Sequence, residues 1–168
     1  MDDHERRHAQ SLQDDIELIL QIGLQINAEH DLDRLLHLTV QAIRESLKYS
    51  YCAILLKEGT DLVIRAVTEY TEDIVGKRIP IGTGITGRCA ASGVESLVPD
   101  VSKCPHYVHF GNEVFRSELD IPIIFRGKVL GVLNTQSTLT NAFGDRDLHT
   151  LKILATQIGV ALYNAQVR

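Results

Sequence analysis

"IGTGITGRCAASG", residues 81–93, is the stretch on which the reading of this chain turns. Gly82, Gly84 and Gly87 stand in the spacing G-x-G-x-x-G, which cradles a dinucleotide pyrophosphate when a buried parallel strand precedes it and a crossover helix follows. Asp100 even lies at about the 20-residue distance where such a fold places its ribose-binding carboxylate. The surroundings decide against that use. A helix starting at Gly84 meets Gly93 after little more than two turns, too short to recross a sheet, and the flanking segments read as antiparallel hairpins. The same glycines then have a backbone role. Gly82 and Gly84 make a tight entry turn, and Gly87 lets a short helix lie close to a sheet.

Working outward, "SYCAILLKEGTDLVIRAVTEY" (50–70) is a hairpin reversing across Glu58–Asp61, and "SELDIPIIF" (117–125) with "KVLGVLNTQS" (128–137) is a second around Arg126-Gly127. Pro122 marks an edge or a local irregularity in that second hairpin. Alternation puts Leu119, Ile121 and Ile123 on one face of the strand and Glu118, Asp120 and Pro122 on the other. A short strand at 95–98 and a polar, aperiodic stretch at 99–113 lie between the hairpins. Helices bracket the whole. The first carries Leu12, Ile16, Ile19, Gly23 and Ile26 at alternating spacings of four and three. The second, N-capped by Asp31, keeps Leu32, Leu35, Leu36, Val40, Ile43 and Leu47 on one face. The last starts near Gly144-Asp145 and carries Leu148, Leu151, Ala155, Ile158, Leu162 and Ala165.

Composition narrows the function classes. The chain has 168 residues, 44% hydrophobic, enough for one domain with a real core. Its net charge is -5 and no Lys/Arg run exceeds two residues, so nucleic acid is not an expected partner. No segment approaches the roughly twenty apolar residues of a membrane span, and "MDDHERRHAQ" has no signal-peptide core. Three cysteines without CxxC spacing fit a reduced compartment; we expect a cytoplasmic chain with no direct membrane contact.

The succession "CAILLKEG", "IPIGTGITGRCAASG", "SLVPDV", "RSELDIPIIFRGKVLGVLNTQS" and "FGDRDLHTLKILATQIGVAL" resembles a GAF domain over roughly residues 30–165. The resemblance implies an α+β, PAS-like fold: a central antiparallel sheet of about six strands, N- and C-terminal helices on one face and a ligand cavity on the other. It divides the chain into an N-terminal signalling or dimerisation helix (1–29) and the domain proper (30–168), whose last helix leads towards a possible output domain. GAF domains are mostly sensory modules, so the expectation is a regulatory domain that binds an unidentified small molecule and is not an enzyme. No catalytic residue, metal ligand or cofactor is assigned.

Ligand contacts are expected from the loop "SKCPHYVHFGNEVF", through Cys104, His106, Tyr107, His109 and Phe110, and from Arg116 and Glu118 at the start of the following strand. Arg116 and Glu118 are read as an ion pair fixing the loop, or as a charged anchor reaching the ligand. Cys52 and Cys89 read as small buried hydrophobes, and Cys104, beside Lys103 and near His106, as the candidate reactive thiol. Free methionine sulfoxide reductases of this fold resemble the chain, yet Thr86 and Phe110 stand where their catalytic cysteines look to fall. The cyclic-nucleotide set is matched by Phe143 and Asp147 but not by Ser137, Thr138 and Leu148, and "CPHY" lacks the Cys-His pair of bilin binders. A ligand-free dimerisation spacer is the remaining alternative. The two terminal stripes, with small residues at Gly23, Ala155 and Ala165, predict a homodimer through the terminal helices.

Overall fold

A computed structural model of the chain describes residues 3–68, 73–109 and 113–166. The elements run α1 (Asp3–Ala9), α2 (Leu12–Asn27), α3 (Leu32–Leu47), β1 (Tyr51–Glu58), β2 (Asp61–Val67), β3 (Arg78–Pro80), α4 (Gly84–Ser92), β4 (Ser96–Val98), a single 3-10 turn (Val101–Lys103), β5 (Ser117–Phe125), β6 (Lys128–Ser137) and α5 (Asp145–Gln166). The strands form one six-stranded sheet in the order β3-β2-β1-β6-β5-β4, every neighbouring pair antiparallel. Both expected hairpins are present, as is the α+β architecture. Pro122 is tolerated in β5 because β4 pairs only with Glu118–Asp120, leaving that side of the strand open beyond Asp120.

Side-chain alternation sorts the core into two layers. On one face Cys52, Ile54, Leu56, Leu119, Ile121, Ile123 and Leu133 pack against α2, α3 and α5. On the other Ala53, Leu55, Leu62, Ile64 and Val132 meet Ile74, Ile79, Cys89 and Ala90, so α4 alone covers that face among the described helices. The N-terminal region is built into the first layer. Ile19, Ile22 and Ile26 of α2 are buried against the domain, and a Cβ on Gly23 would meet the Gln157 side chain of α5 at 2.7 Å. The stripe predicted to join two subunits is therefore largely spent within one, since Ile158 and Leu162 are also fully buried.

A polar cluster closes the end of this layer. Arg7 grips Asp15 with both terminal nitrogens, at 3.0 and 2.9 Å, reaches Asp147 at 3.2 Å and the Leu47 carbonyl at 2.8 Å, and lies over the Tyr49 ring. Gln10 and Thr150 complete the shell around Asp15. Burial acts to raise the Asp15 pKa, but the hydrogen bonds and charge of Arg7, with those of Gln10 and Thr150, hold it below the usual carboxylate range.

Candidate functional site

The glycine segment opens the α4 face. Gly82 and Gly84 have φ of +99° and +69°, which glycine adopts without the steric cost borne by other residues. A Cβ on Gly87 would stand 2.7 Å from the Pro80 carbonyl oxygen, so only glycine lets α4 settle here against the end of β3. The turn is sealed by the Gly82 amide donating to the Gly87 carbonyl at 2.8 Å. Asp100, the tempting ribose partner, instead caps the 3-10 turn through Ser102. The segment holds a helix to a sheet, as its surroundings implied.

Beneath α4 a partly open cavity of about 30 Å³ is lined by Ala53, Leu55 and Ile64 of the sheet, by Thr86 and Val108, and by Glu118, Asn134 and Gln136. A smaller void of about 10 Å³ adjoins it under Tyr107. Polar groups converge from three elements. Gln136 Nε2 donates to Glu118 Oε1 at 2.8 Å, Thr86 Oγ1 donates to Glu118 Oε2 at 3.4 Å, and Asn134 Nδ2 donates to Asp120 Oδ1 at 2.7 Å. Asp120 Oδ2 is buried and receives no hydrogen bond from a described residue. Glu118 and Asp120 are 3% and 0% exposed. Burial raises both pKa values, and the charge of Asp120 together with the contact between the two carboxyls raises Glu118 further, so the pair holds a proton to higher pH than free carboxyls do.

The structure separates the residues singled out in the sequence. Glu118 lies in the cavity wall, and Tyr107 forms the roof of the adjoining void, its phenol pushed up to about 12 by burial and by Glu118. His106 is exposed, and its carbonyl oxygen lies over Gly84. His109 is also exposed, with Nδ1 3.4 Å from the Tyr107 hydroxyl. Cys104 lines a separate groove of about 490 Å³ with Pro99, Asp100, Lys103 and Asn141. Arg116 is exposed, and among the described residues no ion pair joins it to Glu118; its backbone instead bridges Ser137 and Val101. Phe110 lies outside the described residues. The polar cavity residues that had not been singled out are Asn134, Gln136 and Thr86 as a contact, with Asp120 buried beside Glu118; the alternation of "SELDIPI" and "VLNTQ" contained the signal, because each places polar groups on the strand face opposite the leucines. Among the described residues no His, Cys, Asp and Glu group of three or more can hold a metal ion.

A family model for the GAF domain matches residues 29–162, most of the chain, and the protein belongs to this family. Its fold is that of the GAF domain of a phosphoenolpyruvate-protein phosphotransferase from Coxiella burnetii, with a TM-score of 0.84 at 24% identity, covering 94% of this chain and 98% of that one. It is equally that of the free methionine-R-sulfoxide reductase of Neisseria meningitidis solved with its substrate, with a TM-score of 0.81 at 24% identity over 91% and 90% of the two chains. The free methionine-R-sulfoxide reductase of Escherichia coli (strain K12) is 28% identical over 81 residues, 48% of each chain. The chain spans about half the length of the curated relatives that it matches at 28% identity or more. These likenesses correct one expectation. That the chain is not an enzyme was inferred from the usual role of the family, and relatives that are themselves reductases overturn the inference. No helix among the described residues is long and apolar enough to cross a membrane.

Proposed function

We propose that this chain is a regulatory GAF domain that takes a small polar ligand into the cavity beneath α4 and passes its state to α5 through β5. The observation that carries the reading is the two-sided character of β5. Glu118 lines the cavity, with Asp120 buried on the same strand face, while Leu119, Ile121 and Ile123 of the same strand pack in the helical layer. The coupling is tight, because a Cβ on Gly159 of α5 would stand 2.9 Å from the Ile124 carbonyl oxygen. A shift of β5 on ligand entry therefore moves α5, the C-terminal helix of the domain, provided the ligand binds two helix arrangements with different affinity. On the outer side of α2, Leu20 and Leu24 are 56% and 78% exposed, and a second copy seated there would let two α5 helices respond together. A thermal-shift screen of amines, amino acids, nucleotides and small acids tests the reading. A ligand at one hundred times its dissociation constant should add about 2.7 kcal/mol, and Glu118→Ala should remove the effect. A screen without hits on the folded chain would sink it.

Reduction of free methionine-R-sulfoxide is a second reading, favoured by the 28% identity to the Escherichia coli enzyme. It requires a thiolate at the cavity. Cys89 on α4 is buried in the same layer as the cavity, and burial, with the charges of Asp120, Glu118 and Glu95, pushes its pKa up, against thiolate formation. The check is consumption of free methionine-R-sulfoxide in the presence of dithiothreitol by the parent chain, Cys89→Ser and Cys104→Ser. Turnover lost in one variant supports this reading and names the nucleophile; an inert parent chain discards it and leaves ligand binding standing.

A further inference from the structure

The cavity has a charge problem that its own side chains do not solve. Glu118 lines this space and Asp120, on the same face of β5, is buried in contact with it, and an ionised carboxylate costs several kcal/mol to bury unless a cation or a proton compensates it. None of the described residues that line the cavity or its adjoining void is Lys, Arg or His. The groups facing the pair are Asn134 and Gln136 from β6, Thr86 and Cys89 from α4 and Tyr107 from the loop, while β1, β2 and β3 contribute apolar walls. All the hydrogen bonds that these neighbours donate to the pair are neutral, and Asp120 Oδ2 has none.

We propose that the ligand of this cavity carries a primary ammonium group, and that its entry displaces a proton shared by Glu118 and Asp120. The inference rests on the cavity being a ligand site and names the chemistry of what enters it. An ammonium fits the space: the cavity of about 30 Å³ exceeds the roughly 10–15 Å³ needed to hold one water, and an ammonium head is about the size of a water. It fits the acceptors as well. A primary ammonium offers three donors, and the cavity lining presents a deprotonated Glu118 carboxylate and the side-chain amide oxygen of Asn134 to receive them. A guanidinium is larger and planar, and a metal ion lacks the third charged or imidazole ligand among the described residues. The exchange balances in charge and atoms. Before entry one proton bridges the two carboxyls; on entry the ammonium supplies one positive charge and one proton leaves to solvent.

The exchange makes affinity depend on pH in a defined direction. Below the titration of the pair the binding-competent, deprotonated form is a minority, so the apparent dissociation constant rises about tenfold for each unit that the pH falls. Methylammonium chloride, titrated into the full chain by NMR at about pH 5.5 and about pH 8, is the probe, with methanol as a neutral control of similar size. The expected result is binding at the higher pH, weakening at the lower, with a matching shift of the Glu118 and Asp120 carboxyl carbons and no saturable effect of methanol. Glu118→Gln should abolish both the pH dependence and the preference for methylammonium, and Asp120→Asn should weaken the pH dependence. Should these variants fail to fold, the pH series on the parent chain decides alone. Equal methylammonium affinity at both pH values overturns the exchange, as does equal binding of methanol or binding of neither. In each case a neutral or anionic compound that stabilises the chain in a thermal-shift screen would show the cavity to be a ligand site all the same.

Discussion

Asp15 and Asp120 are both fully buried carboxyls, yet their surroundings send stability in opposite directions with pH. Asp15 has a lowered folded pKa, so its contribution is present above its unfolded value near 3.9 and is lost as the pH falls through the folded one. Glu118 and Asp120 have raised folded values, so the proton they retain favours the native state in acid, and that contribution drains away as the pH climbs from about 4.5 towards them. Urea unfolding between about pH 5 and pH 7 should show Asp120→Asn with a stability less pH-dependent than the parent, by about 1 kcal/mol per pH unit for one retained proton. A parallel pair of curves would mean that Asp120 plays no part in holding the proton. Asp15→Ala should cost about 3–5 kcal/mol at neutral pH, because it leaves Arg7 buried beside a missing partner. Of these residues only Glu118 was singled out in the sequence, through its place beside the loop. Arg7 stands in a polar N-terminal run that shows no periodic role, and its contacts with Leu47 and Asp147 join positions far apart in the chain. Pattern within a window carries no trace of such a contact.

The elements were more legible than the contacts, where backbone chemistry is local. Asp31 caps α3 through the Arg34 amide, and Gly93, at φ +69°, ends α4 as expected. Strand β3 was missed: three residues are too short to show alternation, and its pairing with Asp61–Val63 is what makes it a strand. The candidate loop proved mixed, because its histidines are exposed while Tyr107 turns inward, a distinction set by tertiary packing and not by residue type. Two substitutions test how far close packing fixes the elements. Gly87→Ala should destabilise by about 1–3 kcal/mol, since the new methyl meets backbone at 2.7 Å and α4 must lift from the end of β3. Gly159→Ala sets a gain of up to about 1 kcal/mol in helix propensity against a 2.9 Å contact with the Ile124 carbonyl. We expect the contact to win, with a lowered denaturant midpoint and the α5 amides shifted in the NMR spectrum. A more stable Gly159→Ala chain would show that α5 rides loosely on β5, and the proposed relay would lose its mechanical basis.

At the scale of the whole molecule, the terminal stripes show how one pattern serves two purposes. Alternating spacings of three and four mark a helix with an apolar face, and the sequence alone does not say whether that face meets another subunit or its own sheet. Here Ile19, Ile26 and Ile158 are 0% exposed and belong to the subunit core, while Leu24 is 78% exposed. Ile158→Glu should therefore abolish the fold by circular dichroism, whereas Leu24→Glu should keep it and, in light scattering, convert a dimeric parent to monomer. An unchanged mass would remove α2 from the proposed subunit contact. The same burial bears on where a working piece of this protein can be cut. The family match begins at residue 29, which invites expression from there. Such a piece would lack Ile19, Ile22 and Ile26, each worth roughly 1.5–3 kcal/mol of burial, a sum of the order of a small domain's entire stability. It would also strip Arg7 and Asp15 from Asp147 and Thr150, and leave the apolar side of α5 facing water. We expect the shortened chain to accumulate in inclusion bodies, and one that begins at residue 3 to stay in the supernatant. The boundary at which family likeness starts is not the boundary at which this domain becomes self-supporting.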